Sequence, residues 1–172
     1  MLRCAALAFG IFLLALPTAH AEATNVFRVR DVLESIGQKS SRIGILFGQP
    51  TVSGDLQGLG TVTALNKCND ADTDKQTCEE VNFKACVRLL PWSERDQILE
   101  AANDYNLKSY AGTMILDSSD RVGPITCILM DVDLRDENVF DTDEAYNWSQ
   151  ALTDFRSFLK DEDLPVLDPG AL

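Results

Sequence analysis

The alternation of apolar and polar residues is clearest between residues 79 and 89. Every second residue is apolar, and the residues between them are mostly polar; the apolar set is Val81, Phe83, Ala85, Val87 and Leu89. A period of two predicts a β-strand with one buried face. Four further stretches rich in apolar and β-branched residues predict strands at 42–48, 58–66, 109–117 and 123–134.

Three segments instead have apolar residues at helical spacing. Residues 26–36 predict a first helix that Gly37 ends. Ser93 can cap a second helix, and Thr142 or Asp143 can cap a third. The order helix, three strands, helix, two strands, helix predicts an α+β fold whose five-stranded antiparallel sheet is covered on one face by the first and last helices.

The first 21 residues have the layout of a secretory signal peptide. Arg3 provides a positive start, an apolar run follows over residues 5–16, and Ala19-His20-Ala21 matches a cleavage pattern. The apolar run is shorter than the roughly 20 residues that cross a bilayer, so we expect no membrane-spanning segment. We predict a signal peptide at 1–21, a single domain at 22–160 and a flexible acidic tail at 161–172.

Charge and the loss of the signal segment exclude several function classes. His20 is the only histidine, so cleavage would leave none for acid/base catalysis or metal binding. The chain has 15 Lys and Arg against 27 Asp and Glu, a net charge of −12, and no basic cluster. A nucleic acid partner is therefore disfavoured, and we expect neither an enzyme nor a cofactor.

Four cysteines lie beyond the signal segment, namely Cys68, Cys78, Cys86 and Cys127. In an exported protein an even number indicates disulfides, and four cysteines allow three connectivities. A zinc site is the alternative, but these spacings include no C-x₂-C pair. Disulfides are favoured.

Asp70, Asp72 and Asp74 are similar to the start of a calcium-binding loop. Lys75 stands where such a loop needs glycine, however, and Val81 occupies the position of its bidentate glutamate. The pattern therefore favours a solvated acidic turn, with calcium binding as the weaker alternative.

Asp131 and Asp133 share one face of the last predicted strand and could act together in acid/base chemistry. Alternating acids are also ordinary on an exposed strand face. A carboxylate-based enzyme is thus retained only as an alternative.

Several local patterns follow one another in a distinctive order. They are Cys68 and Cys78 around a turn, Asn103-Asp104-Tyr105-Asn106 at a helix end, a strand at 110–116, Met130-Asp131-Val132-Asp133-Leu134, and the helix sequence LTDFRSFL at 152–159. In this combination the chain resembles the YbjN-domain family of bacterial proteins, described as candidate sensory transduction regulators, over residues 29–160. The resemblance implies a fold similar to that of type III secretion chaperones and, with the signal segment, a periplasmic location. It implies no reaction, because the family has no established catalytic residues.

The cysteines can be paired on this basis. Cys68 and Cys78 are ten residues apart in sequence, so one disulfide can close the short loop between them. If the strand order resembles that of the secretion chaperones, the strands of Cys86 and Cys127 are neighbours, and a cross-strand disulfide can join them.

The sequence therefore predicts an exported, non-enzymatic domain that binds an unidentified protein or peptide in a chaperone-like or regulatory role. The resemblance to secretion chaperones makes a homodimer possible. The alternative function is a calcium-binding module or a carboxylate-based enzyme.

Overall fold

The computed structural model describes residues 24–69, 76–109, 112–120, 122–135 and 139–168. Within these ranges the helices are α1 (Val26–Ser35), α2 (Arg95–Lys108) and α3 (Thr142–Asp161). The strands are β1 (Lys39–Leu46), β2 (Gln49–Leu56), β3 (Leu59–Cys68), β4 (Cys78–Leu89), β5 (Thr113–Asp120), β6 (Gly123–Asp133) and β7 (Val166–Asp168). The fold is α+β with an antiparallel sheet, as predicted, but the described sheet has seven strands instead of five.

The sheet is a meander from β1 to β4, after which β6 lies next to β4 and β5 lies at the edge. Neighbouring strands follow the order β1-β2-β3-β4-β6-β5, every pair is antiparallel, and β7 pairs with the end of β4. Strands β1 and β5 are therefore the two edges. The long central strand β4 contacts β3 and β6 over most of its length.

All three helices contribute to one hydrophobic core against the sheet. The odd-numbered residues of β4 from Val81 to Leu89 face this core, and Phe83 stacks on Trp148 of α3 with ring centroids 5.2 Å apart. Tyr105 of α2 meets Phe155 and Phe158 of α3 edge to face. Aromatic contacts thus join two helices to each other and to the central strand.

The caps of two helices differ from the predicted ones. The N-cap of α2 is Glu94 instead of Ser93, and its side chain makes no capping hydrogen bond. The N-cap of α3 is Asp141, because its carboxylate accepts from the backbone N–H of Asp143 at 2.7 Å while Glu144 accepts from the Asp141 N–H at 3.2 Å. This reciprocal capping box fixes the helix start just before the predicted position.

The sequence pattern does not predict strand β2. It contains Pro50 and Gly54, two residue types that are uncommon in strands. Gly54 packs closely against Gln38, the residue just before β1: a Cβ on Gly54 would come within 2.8 Å of the Gln38 side chain. Glycine therefore serves close packing here and does not end the strand.

The prediction of a flexible acidic tail at 161–172 was wrong for residues 161–168. Leu164 is buried, and its N–H donates to the carbonyl of Leu159 at 2.9 Å. Strand β7 then pairs with Arg88 and Leu89 at the end of β4. Residues 161–168 are therefore held to the domain, and residues 169–172 lie outside the described part of the chain.

The predicted signal peptide at 1–21 also lies outside the described residues. Across the ranges that are described, no helix has both the length and the apolar character needed to cross a bilayer.

Candidate binding site

The sheet has a second face, opposite the helices, which we call the open face. Even-numbered residues of β4 point to it, among them Lys84 and Cys86, and each lies beside a residue of β6 in register, Leu129 and Cys127 respectively. On the other side of β4, Val62 of β3 is the neighbour of Lys84. The open face therefore mixes apolar and charged side chains.

A groove of about 500 Å³ runs along this face. The residues lining it come from six strands, β1 to β6: Ser40, Arg42, Leu46, Ser53, Gly54, Gly60, Thr61, Val62, Lys84, Cys86, Asp117 and Ile125. Its volume falls in the range of ligand-binding clefts. Its lining suits a partner that presents both apolar and polar groups.

The Lys84 ammonium lies 3.2 Å from the Asp117 carboxylate, across the intervening strand β6. Both side chains are about two-fifths exposed. An ion pair this accessible to solvent contributes little stability, about 0 to 1 kcal/mol. It therefore does little to hold the two side chains in place.

A disulfide lies beneath the groove. Cys86 and Cys127 are directly opposed on β4 and β6, their Cα atoms are 4.0 Å apart, and Cys127 is fully buried. The second disulfide joins Cys68 to Cys78 where β3 meets β4, again between directly opposed residues. These are the two pairs that the sequence suggested, and both crosslinks fix the position of β4 relative to a neighbour.

The β1–β2 hairpin carries the most exposed apolar side chains near the groove. We call Ile43, Ile45, Leu46 and Phe47 the apolar hairpin. Phe47 is 96% exposed at the turn and Ile45 is 75% exposed on the edge strand. Leu46 extends the apolar hairpin into the groove, since it is one of the residues lining it. The sequence pattern predicts the strand but not this exposure, because an apolar run has the same pattern in an edge strand as in a buried one.

The two acids of β6 have separate partners. Asp131 accepts a hydrogen bond from the Asn82 side chain at 2.6 Å. Asp133 accepts from the Arg135 Nε at 2.9 Å and from its backbone N–H at 3.1 Å, which lowers the pKa of Asp133 to about 2. A carboxylate held ionised in this way is a poor general acid near neutral pH.

The remaining candidate ligands do not form a described site. Asp70, Asp72 and Asp74 lie outside the described residues. Within the described ranges, no three His, Cys, Asp or Glu side chains converge as metal ligands would.

Among known proteins, the match to this chain is to a solved structure. No protein-family model matches the sequence, and no curated protein matches it significantly. The crystal structure of YbjN from E. coli, described as a candidate transcription regulator, matches with a TM-score of 0.56 at 13% identity, covering 86% of this chain and 99% of that one. The chain therefore has a YbjN-like fold, and at this identity the likeness extends to the fold alone.

Proposed function

We propose that this protein binds an extended, largely apolar segment of another protein outside the cytoplasm, without catalysing a reaction. The observation that carries the proposal is the exposure of the apolar hairpin, above all of Phe47 and Ile45. Large apolar side chains grouped on a surface typically mark an interaction site.

The position of the apolar hairpin favours an extended partner. Strand β1 is an edge, so its outer N–H and C=O groups have no neighbouring strand within the described sheet. An incoming segment could pair with this edge by β-augmentation and gain main-chain hydrogen bonds. Leu46 and the adjoining groove would then receive side chains from one face of the added segment.

The edge has little protection against such pairing. Natural edge strands commonly avoid it with charges, proline or a short length. Strand β1 has eight residues, and its second half, from Ile43 to Leu46, contains neither a charge nor a proline. An unprotected apolar edge is consistent with a surface kept available for a partner.

The proposed location rests on two observations of different kinds. Two disulfides are compatible with an oxidising compartment outside the cytoplasm. The sequence of residues 1–21 adds the layout of a signal peptide. Together they support a periplasmic setting if the chain is bacterial, as its resemblance to YbjN-domain proteins implies.

A regulatory role, which the description of YbjN suggests, would have to act through protein contacts. The net charge of −12 opposes binding to a polyanion such as DNA. We therefore favour a chaperone-like or regulatory protein partner.

The experiment compares a Phe47→Ser/Ile45→Thr double variant with Leu107→Ser. Leu107 is 85% exposed at the end of α2, so the control removes an apolar side chain away from the apolar hairpin. Each protein is added in excess to a test enzyme diluted from denaturant, and aggregation is followed by light scattering. We expect wild type and Leu107→Ser to suppress aggregation, and the double variant to lose most of this effect with an unchanged circular dichroism spectrum.

Three results would contradict the proposal. The first is that wild type does not slow aggregation, and the second is that the double variant matches the control. The third comes from sedimentation velocity: a stable homodimer that only the double variant dissociates would assign the apolar hairpin to self-association.

A further inference from the structure

A second cavity lies away from the open face, between the end of α3, the start of β3 and strand β7. Its volume is about 310 Å³, and the residues lining it are Leu59, Val87, Arg156, Leu159, Lys160, Leu164, Pro165 and Val166. Six of the eight are apolar. Leu59, Leu159 and Leu164 are almost completely buried and form the interior of the cleft.

The two charged residues of the cleft are both basic. Arg156 and Lys160 are four residues apart on α3, so helical geometry places them on the same face. No acidic residue lines the cleft within the described part of the chain. Adjacent like charges are mildly unfavourable on a helix, and they are unexpected in a chain with 27 acidic residues against 15 basic ones.

Backbone contacts hold the walls of the cleft in place. Arg156 Nη1 donates a hydrogen bond to the carbonyl of Gln57 in the β2–β3 turn. The Pro165 carbonyl accepts from the N–H of Leu90 at 3.0 Å. The cleft is therefore formed before any ligand arrives, which lowers the entropic cost of binding.

We propose that this cleft binds a small aliphatic carboxylate, with the hydrocarbon chain against the apolar lining and the carboxylate on Arg156 and Lys160. Guanidinium and ammonium groups form strong, charge-assisted hydrogen bonds with carboxylates. The apolar lining removes the hydrocarbon from water. A cavity at the small end of the usual range for ligand pockets suits a medium-chain acid. This site is separate from the apolar hairpin and does not depend on the function proposed for it.

The test is a calorimetric titration of the full mature chain with decanoate, below the concentration at which decanoate forms micelles. Decanol tests the contribution of the carboxylate, and acetate tests that of the hydrocarbon chain. The variant is Arg156→Gln/Lys160→Gln, and the control is Arg95→Gln/Lys108→Gln, which removes the same two charges from α2.

We expect decanoate to bind at one site, decanol to bind at least tenfold more weakly, and acetate not to bind measurably. The Arg156→Gln/Lys160→Gln variant should weaken decanoate binding about tenfold or more and leave decanol unchanged, because each lost charge-assisted hydrogen bond affects the acid alone. The control should bind decanoate like wild type. Melting temperatures within 3 °C of each other would show that loss of the Gln57 contact has not unfolded the variant.

Equal binding of decanoate and decanol would overturn the proposal, as would equal effects of the two double variants. So would heat that appears only when micelles form. A short peptide with a free C-terminal leucine is the last ligand to be titrated. Binding of that peptide in preference to decanoate would reject the aliphatic acid and assign the cleft to protein C-termini.

Discussion

The two faces of the central strand β4 differ in how they are stabilised. On the helix side, Phe83 is 1% exposed and packs between Phe140 and Trp148. On the open side, Lys84 and Cys86 are half-buried and contact residues of the sheet itself. One alternating sequence therefore provides both a core and a surface.

This difference separates stability from function. The energy of burial is concentrated between the helices and the sheet, where large aromatic side chains exclude water. The open face relies on a disulfide, an exposed ion pair and polar contacts between strands. Substitutions of open-face side chains other than the two disulfide cysteines can therefore change binding without unfolding the domain.

The largest expected difference in stability between the two faces is that between Phe83→Ala and Val62→Ala. Removal of the Phe83 ring should cost about 4 to 5 kcal/mol of unfolding free energy, because two aromatic neighbours lose their contacts. Val62 is half-buried on the open face, and its truncation should cost about 1 kcal/mol or less. Urea unfolding followed by fluorescence measures both. Similar losses in the two variants would show that the open face contributes to stability as the core does.

The disulfides provide a second test. Cys86 and Cys127 are 41 residues apart in sequence, whereas Cys68 and Cys78 are ten apart. A crosslink that closes a longer loop restricts the unfolded chain more. Cys86→Ala/Cys127→Ala should therefore cost about 4 kcal/mol, and Cys68→Ala/Cys78→Ala about 3 kcal/mol.

Unfolding in denaturant without reductant measures the two losses. Wild type in reductant serves as the control and should be less stable than either double variant. The reverse order of losses would mean that the crosslink under the groove restrains the chain less than its loop length predicts.

Much of the fold could be predicted from local periodicity. Strand β4 and helix α3 have long, regular patterns, and the structure places both at the predicted positions within a few residues. Strand β2 was missed because Pro50 and Gly54 are usually signals of a loop. Strand β7 was missed because three residues are too few to show a period, and β4 alone supplies its partner.

The candidate sites were harder to predict for a different reason. The exposure of Ile45 depends on β1 being an edge strand, which is a property of the strand order and not of the residue itself. Phe47 is exposed because it lies in the β1–β2 turn. The cleft beside Arg156 and Lys160 combines residues from β3, β4, α3 and β7. Neither arrangement leaves a local pattern in the sequence. The disulfide pairs could be suggested from the sequence, because cysteines are few, Cys68 and Cys78 flank one predicted turn, and the resemblance to secretion chaperones implies that the strands of Cys86 and Cys127 are neighbours.

The smallest expected effect concerns Asp133 and Arg135 at the end of β6. The hydrogen bonds from Arg135 lower the pKa of Asp133 to about 2, against about 3.9 in an unfolded chain. The stabilisation from this pair is therefore complete above about pH 4 and is lost as the pH falls through about 2. Because about half of the Asp133 side chain is exposed to solvent, we expect a clear shift in titration but little change in unfolding free energy.

Carboxyl titration by NMR should place the Asp133 midpoint near 2 in wild type. In Arg135→Gln the midpoint should rise toward about 3.9 without reaching it, because the backbone N–H of residue 135 still donates to the carboxylate. Arg30→Gln removes a similar exposed partner, that of Asp31 on α1, and should leave the midpoint of Asp133 unchanged. Added salt should raise the wild-type midpoint, because ions screen an exposed pair. A midpoint that does not respond to salt would mean that the Asp133 carboxylate is shielded from solvent. This end of the open face would then be covered in solution, and the distinction between a buried and an open face would fail there.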